Sequence, residues 1–568
     1  MKSELKISIC LTILSPFTTI VKRRILLYYA VASQKITKMP IETPFRPFVL
    51  VVLDGWGISN TTQGNPIREA KLPTFDKFNR YYPMTTLQAS GISIGLPWNT
   101  AGNSEVGHMT MGAGRIIYQN MPRIALAIQD GSFHQNPVFL EAVERIKAHD
   151  STLHLMGLIS PGSVHSHKDH VLALLRFAKE QHVTKVVVHA FMDGRDSAPT
   201  SGIGHLRELA REMKLVGVGE IGSLIGRHFA MDRNNNWDRV EKAYLMLTKG
   251  IGERTNDPLL HLEQLYAKNI TDEYIEPTII EKNGAPVGII QDDDAVIFFN
   301  FREDRAREIT KAFVSPEFDG FVREKLLDIY FATMTEYEKD LPTHVAYPPE
   351  DIHDSLGEVL SKAGLRQLRI AETEKYAHVT YFFNGGNEEA FPGEDRILIP
   401  SPAVAHFDEQ PEMSAPEVTD MVIKKIQENI YDFILVNYAN PDMVGHTGNE
   451  AASIKAVEAT DKSLSRLIPA ILQAGGAVII TADHGNVEEV TNLQTGERDT
   501  EHSTNPIPLW YITAGNHREK NSAEMIREQN EVHGLLSDVA PTILDILGLE
   551  KPEVMNGASL RTILEKTS

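Results

Sequence analysis

The sequence predicts an α/β protein with largely parallel sheets, divided into at least two compact units. Short apolar runs lack the polar alternation of half-exposed strands, which suits strands buried on both faces. Each run is followed by a polar or Gly-containing loop and then a helical pattern, the alternation that builds parallel sheets. At 568 residues the chain is also too long for one ordinary domain.

In chain order the runs are residues 48–53, 185–189, 295–299, 328–331, 431–436 and 477–480. The first, Phe48-Val-Leu-Val-Val-Leu53, contains no polar residue, and 295–299 and 477–480 are equally apolar. Breaks fall near residues 116–122 and at Tyr347-Pro348-Pro349. If both are crossings between units, the middle segment is an insertion in a discontinuous outer domain. In parallel sheets ligands bind beyond the carboxyl ends of the strands, so the chemistry is expected there.

Hydrophobic residues make up 42% and charged residues 23%, which excludes a disordered or fibrous chain. Lys plus Arg number 56 against 76 Asp plus Glu, a net charge of −20 that argues against nucleic acid or an anionic membrane as the main partner. Residues 1–39 hold seven basic residues and one acid, net +6, so the remainder carries −26. The leader's apolar run, residues 7–21, contains Pro16 and is shorter than the ~18–20 residues of a membrane span. Three readings of the leader stand open: an extension outside the fold with Met39 as an alternative start, a targeting segment with Ala30-Val31-Ala32 as a cleavage site, or neither. The sole cysteine, Cys10, excludes an intramolecular disulfide, so a metal site must use Asp, Glu, His or hydroxyl ligands.

Three runs end in such residues. Leu53 leads into Asp54-Gly55-Trp56-Gly57, Val436 into Asn437 and on to Asp442 and His446, and Ala482 into Asp483-His484, with His502 beyond. One Asp after a strand reads as a turn residue or helix cap. Three strand ends sharing this pattern point instead to Mn²⁺, Mg²⁺ or Zn²⁺, and the ligand number suits two cations holding a phosphate. Ser104 lies in a Gly-containing loop ahead of a helical pattern, as a nucleophile or as a helix cap. The middle segment supplies Ser163-Val164-His165, Asp193-Gly194-Arg195-Asp196, Arg227, Arg233, Arg302 and Arg305. Each arginine alone reads as a surface ion pair, whereas together after apolar runs they suit a phosphate or carboxylate.

These stretches resemble the cofactor-independent (2,3-bisphosphoglycerate-independent) phosphoglycerate mutases, a branch of the alkaline phosphatase superfamily. The resemblance spans residues 47–564 and is carried by Leu53-Asp-Gly-Trp-Gly57, Gly102-Asn-Ser-Glu-Val-Gly-His108, Val164-His-Ser-His167, Asp193-Gly-Arg-Asp196, Ala230-Met-Asp-Arg233 and Asn300-Phe-Arg302. It continues through Glu374-Lys-Tyr-Ala-His-Val-Thr380, Gln410-Pro-Glu-Met-Ser-Ala415, Asn440-Pro-Asp-Met-Val-Gly-His446 and Ala482-Asp-His-Gly-Asn486. It implies a phosphatase-like metal domain, residues 45–118 and 353–568, around an inserted α/β transferase domain, residues 119–352, with 1–39 outside the fold.

The same resemblance implies one cation on Asp442, His446 and His502, and a second on Asp54, Ser104, Asp483 and His484. It makes Ser104 the phosphoryl acceptor and places His165, Arg195, Asp196, Arg227, Arg233, Arg302 and Arg305 on the substrate. Lys375 falls near the transferring phosphate, with Asp196 as acid/base for the glycerate hydroxyls. The implied reaction interconverts 3- and 2-phosphoglycerate with two Mn²⁺ or Mg²⁺ ions and no bisphosphoglycerate. The implied enzyme is a cytoplasmic monomer without nucleic-acid or membrane partners, and the leader leaves an organelle-targeted or secreted form open. The chain departs from the family at Pro161-Gly162-Ser163, where Asp-Gly-Gly is frequent, at Ala403, where Lys is, and at His406-Phe407, where Thr-Tyr is. Two rivals remain: a phosphomonoesterase or phosphodiesterase that admits water to the same serine, and a phosphoglycerate-binding protein without turnover. A cysteine-derived sulfatase is excluded because Cys10 lies in the leader.

Overall fold

The computed structural model describes residues 43–324, 327–492 and 495–566, so the readings of the leader fall outside the described residues. Among the described residues, seventeen strands form two main sheets. The first two are β1 (Phe48–Leu53) and β2 (Met84–Gln88). Then come β3 (Leu153–Leu158), β4 (Val186–Met192), β5 (Glu220–Gly226), β6 (Glu253–Thr255) and β7 (Thr278–Lys282). Next are β8 (Ala285–Pro286), β9 (Ala295–Phe298), β10 (Tyr330–Thr335) and β11 (His344–Tyr347). The chain ends with β12 (Gln367–Glu372), β13 (Glu394–Ile399), β14 (Phe433–Tyr438), β15 (Ala477–Thr481), β16 (Ile507–Ile512) and β17 (Val532–Leu535).

One sheet runs β13-β12-β14-β1-β15-β16-β2-β17 and the other β11-β10-β9-β3-β4-β5-β7-β6, with β8 beside β7. Both are mainly parallel, as the unalternated runs predict. The exceptions are β16, antiparallel to β15 and β2, and β7, antiparallel to β5 and β8. All six residues of β1 are fully buried between β14 and β15, each large apolar side chain worth about 1.5–3 kcal/mol. In the second sheet Leu153 and Leu155 of β3 enter one core and Met156 and Leu158 another, so helices cover both faces. Among the described residues, no helix is long and apolar enough to cross a membrane.

The strands also reach where apolarity does not. The run 431–436 becomes β14 only from Phe433 and continues through Asn437 and Tyr438, while 328–331 becomes β10 from Tyr330 to Thr335. β12 buries Gln367, Arg369 and Glu372. The Arg369 guanidinium lies 5.0 Å from the Phe383 ring centre and 5.4 Å from that of Phe433, and donates to Gln367 Oε1 at 2.6 Å.

Glu372, at the carboxyl end of β12, accepts from the Ser414 amide at 3.1 Å. Burial nevertheless pushes its carboxyl from 4.5 up to about 7, and the Ser414 bond only partly opposes this. A carboxyl raised in the fold binds its proton more tightly there than in the unfolded chain. It therefore costs nothing below about pH 4.5, costs progressively more between 4.5 and 7, and reaches a constant penalty above. Glu372→Gln, which keeps the acceptor for Ser414, should raise stability at pH 8 by up to about 3 kcal/mol, with the gain vanishing below pH 4.5. Thermal unfolding across that range measures it, and a gain that does not depend on pH would refute the assignment.

Candidate active site

The parallel register of β14, β1 and β15 brings three carboxyl ends together. Asp54 follows β1, Asp483 and His484 follow β15, and Asp442 lies in the short helix Asn440–Gly445 after β14 rather than at the strand end itself. Gly55 allows the approach: its φ is +70°, and a Cβ there would stand 2.8 Å from Asp442 Cβ. Gly107 does the same for the helix Ser104–Ala113, where a Cβ would meet the Asp483 carbonyl oxygen at 2.7 Å.

Ser104 is the first residue of that helix, and the cap is Asn103, whose side chain accepts from Val106 N at 2.9 Å. The Ser104 hydroxyl is thereby left to the site. Its Oγ lies 3.0 Å from Asp54 Oδ1, 3.0 Å from His484 Nε2 and 2.7 Å from Lys375 Nζ. Lys375 ends the turn Thr373–Lys375 after β12, and its ammonium also lies 2.7 Å from Asp54 Oδ1 and 2.6 Å from Asp442 Oδ2. Burial works against that charge, but Asp442, Asp54 and Asp483 hold the ammonium well above the ordinary lysine value. Burial likewise opposes a charged His484, yet Asp483, Asp54 and Asp442 carry its ring up to about 9.

The donor chemistry fits cations. His446 Nδ1 lies 2.7 Å from Thr500 O and His502 Nδ1 2.8 Å from Gly102 O. Each Nδ1 therefore carries the proton and each Nε2 a lone pair. The two Nε2 atoms face each other at 2.9 Å, with Asp442 Oδ1 at 3.4 and 3.3 Å. Three acceptors converging without a proton among them are reconciled by a cation. Asp54, Asp442 and His484 also bring ligand-type atoms within 4.8 Å of one another, as do Asp54, His108 and Asp483.

His108, Asn437, Asn486 and Glu488 have no role in the sequence reading yet build this floor. His108 Nδ1 approaches Ser104 O at 2.8 Å and Asp483 Oδ2 at 3.3 Å. Asn437 donates to Asp54 Oδ2 at 2.7 Å, and Asn486 to Asp442 Oδ1 at 2.8 Å. Glu488 accepts from the amides of Gly57 and Asn486, each at 2.9 Å. His108 stands four residues after Ser104 and so shares its helix face, a spacing visible in the sequence.

The arginines gather at the carboxyl ends of β4, β5 and β9, and His165 joins them from the end of β3. Arg227, 3% exposed, donates to Asp193 at 2.6 Å and Asp196 at 2.5 Å. Asp193 also accepts from the Ser160 hydroxyl and from the amides of Arg195 and Asp196. Arg233 pairs with Asp304 at 2.8 Å, Arg302 with Asp304 at 3.1 Å, and Arg195 with Glu273 at 3.7 Å. Arg305 donates to Met231 O at 3.0 Å, and among the described residues no carboxylate lies within ion-pair distance of it. Burial together with Arg233, Arg227 and Arg195 lowers its affinity for its own proton, a mark of a strongly positive field.

His165 sits beneath these groups. Its loop reads Pro161-Gly162-Ser163: a Cβ at Gly162 would stand 2.6 Å from Asp196 O, and Ser163 takes φ +57°, the left-handed region that favours glycine. The second departure, Ala403, is exposed in a loop tied to the Lys375 turn by Ser401 N donating to Thr373 Oγ1 at 3.1 Å.

Among the described residues, no hydrogen bond or ion pair joins the arginine cluster to the Ser104 cluster. The two chain crossings between the sheets are tied to each other, since Arg123 donates to Pro348 O at 2.6 Å and Arg115 to Asp351 O at 3.4 Å. Asn120 links the first crossing to the arginine loop through Phe301 O at 3.2 Å.

Residues 124–339 match the family described as BPG-independent PGAM N-terminus, and residues 366–534 match type I phosphodiesterase / nucleotide pyrophosphatase. A 2,3-bisphosphoglycerate-independent phosphoglycerate mutase of Acetivibrio thermocellus is 50% identical over 514 residues, covering 90% of this chain and 98% of that protein. Its counterpart from Methanosarcina acetivorans, numbered 1, is 48% identical over 91% of this chain and 98% of its own length. Among solved structures, Leishmania mexicana phosphoglycerate mutase at low cobalt concentration aligns with a TM-score of 0.50 and 31% identity, covering 91% of this chain and 98% of that one.

Proposed function

The chain belongs to the 2,3-bisphosphoglycerate-independent phosphoglycerate mutases, enzymes that interconvert 3- and 2-phosphoglycerate, and from that premise we propose how its residues divide the work. Ser104 accepts the phosphoryl group and returns it to the other hydroxyl of the same glycerate. One arrangement supports this most directly: Ser104 Oγ lies within 3.0 Å of Asp54, His484 and Lys375 at the amino end of a helix, where amides favour phosphate charge. Asp442, His446 and His502 would hold one divalent cation, and Asp54, Ser104, Asp483 and His484 a second. Carboxylate, imidazole and hydroxyl donors suit Mn²⁺ or Mg²⁺. Bound there, the cations would lower the serine hydroxyl's pKa and offset charge on the phosphoryl oxygens.

In the forward direction Ser104 enters with its hydroxyl proton already lost to solvent, and the P–O3 bond of 3-phosphoglycerate breaks as the Oγ alkoxide bonds to phosphorus. The departing glycerate oxygen keeps the electron pair and takes a proton from Asp196, which enters the cycle in its protonated form. Arg227, Arg233, Arg302 and Arg305, with Arg195 and His165, grip the carboxylate and hydroxyls while glycerate turns. Its 2-hydroxyl then returns a proton to Asp196 and takes the phosphoryl group from Ser104, giving 2-phosphoglycerate. Lys375 places an ammonium against the transferring group. Closure of the arginine-bearing unit, residues 119–352, over the unit formed by 45–118 and 353–568 would keep water from the phosphoserine. The working form in this reading is a monomer in the cytoplasm, with a small-molecule substrate and neither membrane nor nucleic acid as partner.

A coupled assay for 2-phosphoglycerate without added bisphosphoglycerate tests the scheme. Turnover should vanish after chelation and return with Mn²⁺ or Mg²⁺. Full activity in exhaustively chelated protein would remove the two-cation reading. Inorganic phosphate released at the turnover rate would mean that water reaches Ser104, as in the phosphomonoesterase rival.

A further inference from the structure

Asp304 lies in the loop between β9 and the helix Arg307–Val314, and three of the proposed substrate groups converge on its carboxylate. Oδ2 accepts from Arg233 Nη1 at 2.8 Å. Oδ1 lies 3.1 Å from Arg302 Nε and 3.4 Å from His165 Nδ1. Those last two atoms, Asp304 Oδ1 and His165 Nδ1, are both buried and both without a hydrogen bond of their own. They face each other a few tenths of an ångström beyond bonding distance. The loops carrying them are already joined, because Phe301 N donates to His165 O at 2.8 Å. The carboxylate oxygen keeps its ion pair to Arg302, but the buried imidazole nitrogen has no partner, and a small movement toward Oδ1 would give it one.

We propose that Asp304 is a positioning residue of the mutase reaction: its carboxylate fixes His165 as the Nδ1–H tautomer and aims the Arg233 and Arg302 guanidinium groups, so that His165 Nε2 meets a glycerate hydroxyl as an acceptor. This rests on the reading of the arginine cluster as the substrate site. Asp304 is charged: burial opposes the charge, but Arg233 and Arg302 outweigh it and hold the carboxyl below the ordinary aspartate range. His165 is neutral at pH 7, because burial and Arg227 bring it down to about 4. A neutral imidazole carries one proton, and the carboxylate opposite Nδ1 selects that nitrogen. Nε2, whose nearest carboxylate oxygen is Asp196 Oδ2 at 3.9 Å, is left with its lone pair beside the proposed acid/base. Asp304 does not itself touch the reacting atoms in this scheme.

The test is ¹⁵N-histidine NMR of the metal-loaded enzyme, with the His165 signals assigned by their loss in His165→Gln, alongside kcat/KM. Wild type should show the Nδ1–H pattern. Asp304→Leu should shift His165 toward Nε2–H and lower kcat/KM roughly 10- to 100-fold, the usual effect of removing a residue that orients a functional group. Asp304→Glu should recover the Nδ1–H pattern and part of the rate. If Asp304→Leu does not fold, Asp304→Asn keeps the volume and still removes an acceptor from Arg233 or from the His165 side, so its kcat/KM should fall as well. An unchanged tautomer or unchanged kcat/KM in the folded Asp304 variant overturns the positioning role. If His165→Gln keeps wild-type kcat/KM, the reading of the cluster as the substrate site fails instead.

Discussion

Ser104→Ala should reduce mutase turnover to background, a loss of roughly four or more orders of magnitude by analogy with removal of other covalent nucleophiles. The alanine has no oxygen to accept the phosphoryl group, and the nearest groups, Asp54, His484 and Lys375, are committed to each other. The fold should hold, because Asn103 caps the helix and Lys375 keeps its ion pairs to Asp54 and Asp442. Calorimetric titration with Mn²⁺ should still find binding, since the Asp442, His446 and His502 group is untouched. Transfer of ³²P from labelled 3-phosphoglycerate to protein should be lost in parallel. Substantial residual activity would rule out the phosphoserine route.

Lys375→Met should have the second-largest effect, on activity and stability together. The ammonium lies 2.6 Å from Asp442 Oδ2 and 2.7 Å from Asp54 Oδ1, in a site where Asp483 is also fully buried. Removing one partner from such a group leaves uncompensated buried charge, a cost of about 3–5 kcal/mol. In chelator, the variant should therefore melt several degrees below wild type. Divalent cations should restore more of its melting temperature than they add to wild type, because they neutralise the same carboxylates. With cations present, kcat should still fall by roughly 10²–10³, since a preorganised charge beside the phosphoryl group is gone. Equal melting of both proteins in chelator would show that Lys375 does not compensate the carboxylates.

The site was legible in the sequence to the extent that its residues follow strands. Asp54, Asp483 and His484 come directly after unmistakable apolar runs, and a parallel sheet places such positions at one edge. His108 and Asn437 were hidden for the opposite reason. His108 lies within a helix and Asn437 still within β14, and only the close approach of that helix to Asp483 at Gly107 and the pairing of β14 with β1 turn them toward Asp54 and Asp483. Glu372 and Arg369 likewise occupy a strand whose sequence reads as polar, and burial there depends on β13 and β14 on either side.

The arginines show the division most clearly. Sequence supplied five of them after apolar runs in an acidic chain, and with them the chemical class of an anionic substrate, because residue type fixes charge and donor geometry. It could not supply Asp193, Asp304 and Glu273 as their partners, since most of these ion pairs depend on distances between loops 34 to 78 residues apart in the chain. By itself, then, the sequence determined the α/β class, the family resemblance and the ligand types, all properties of local pattern and side-chain chemistry. Only the tertiary structure decided that Asn103 rather than Ser104 caps the helix, that Lys375 lies among three carboxylates, and that Asp304 faces His165. The last two depend on which strand ends the sheets bring side by side, and that is set by long-range packing rather than by any run of neighbouring residues.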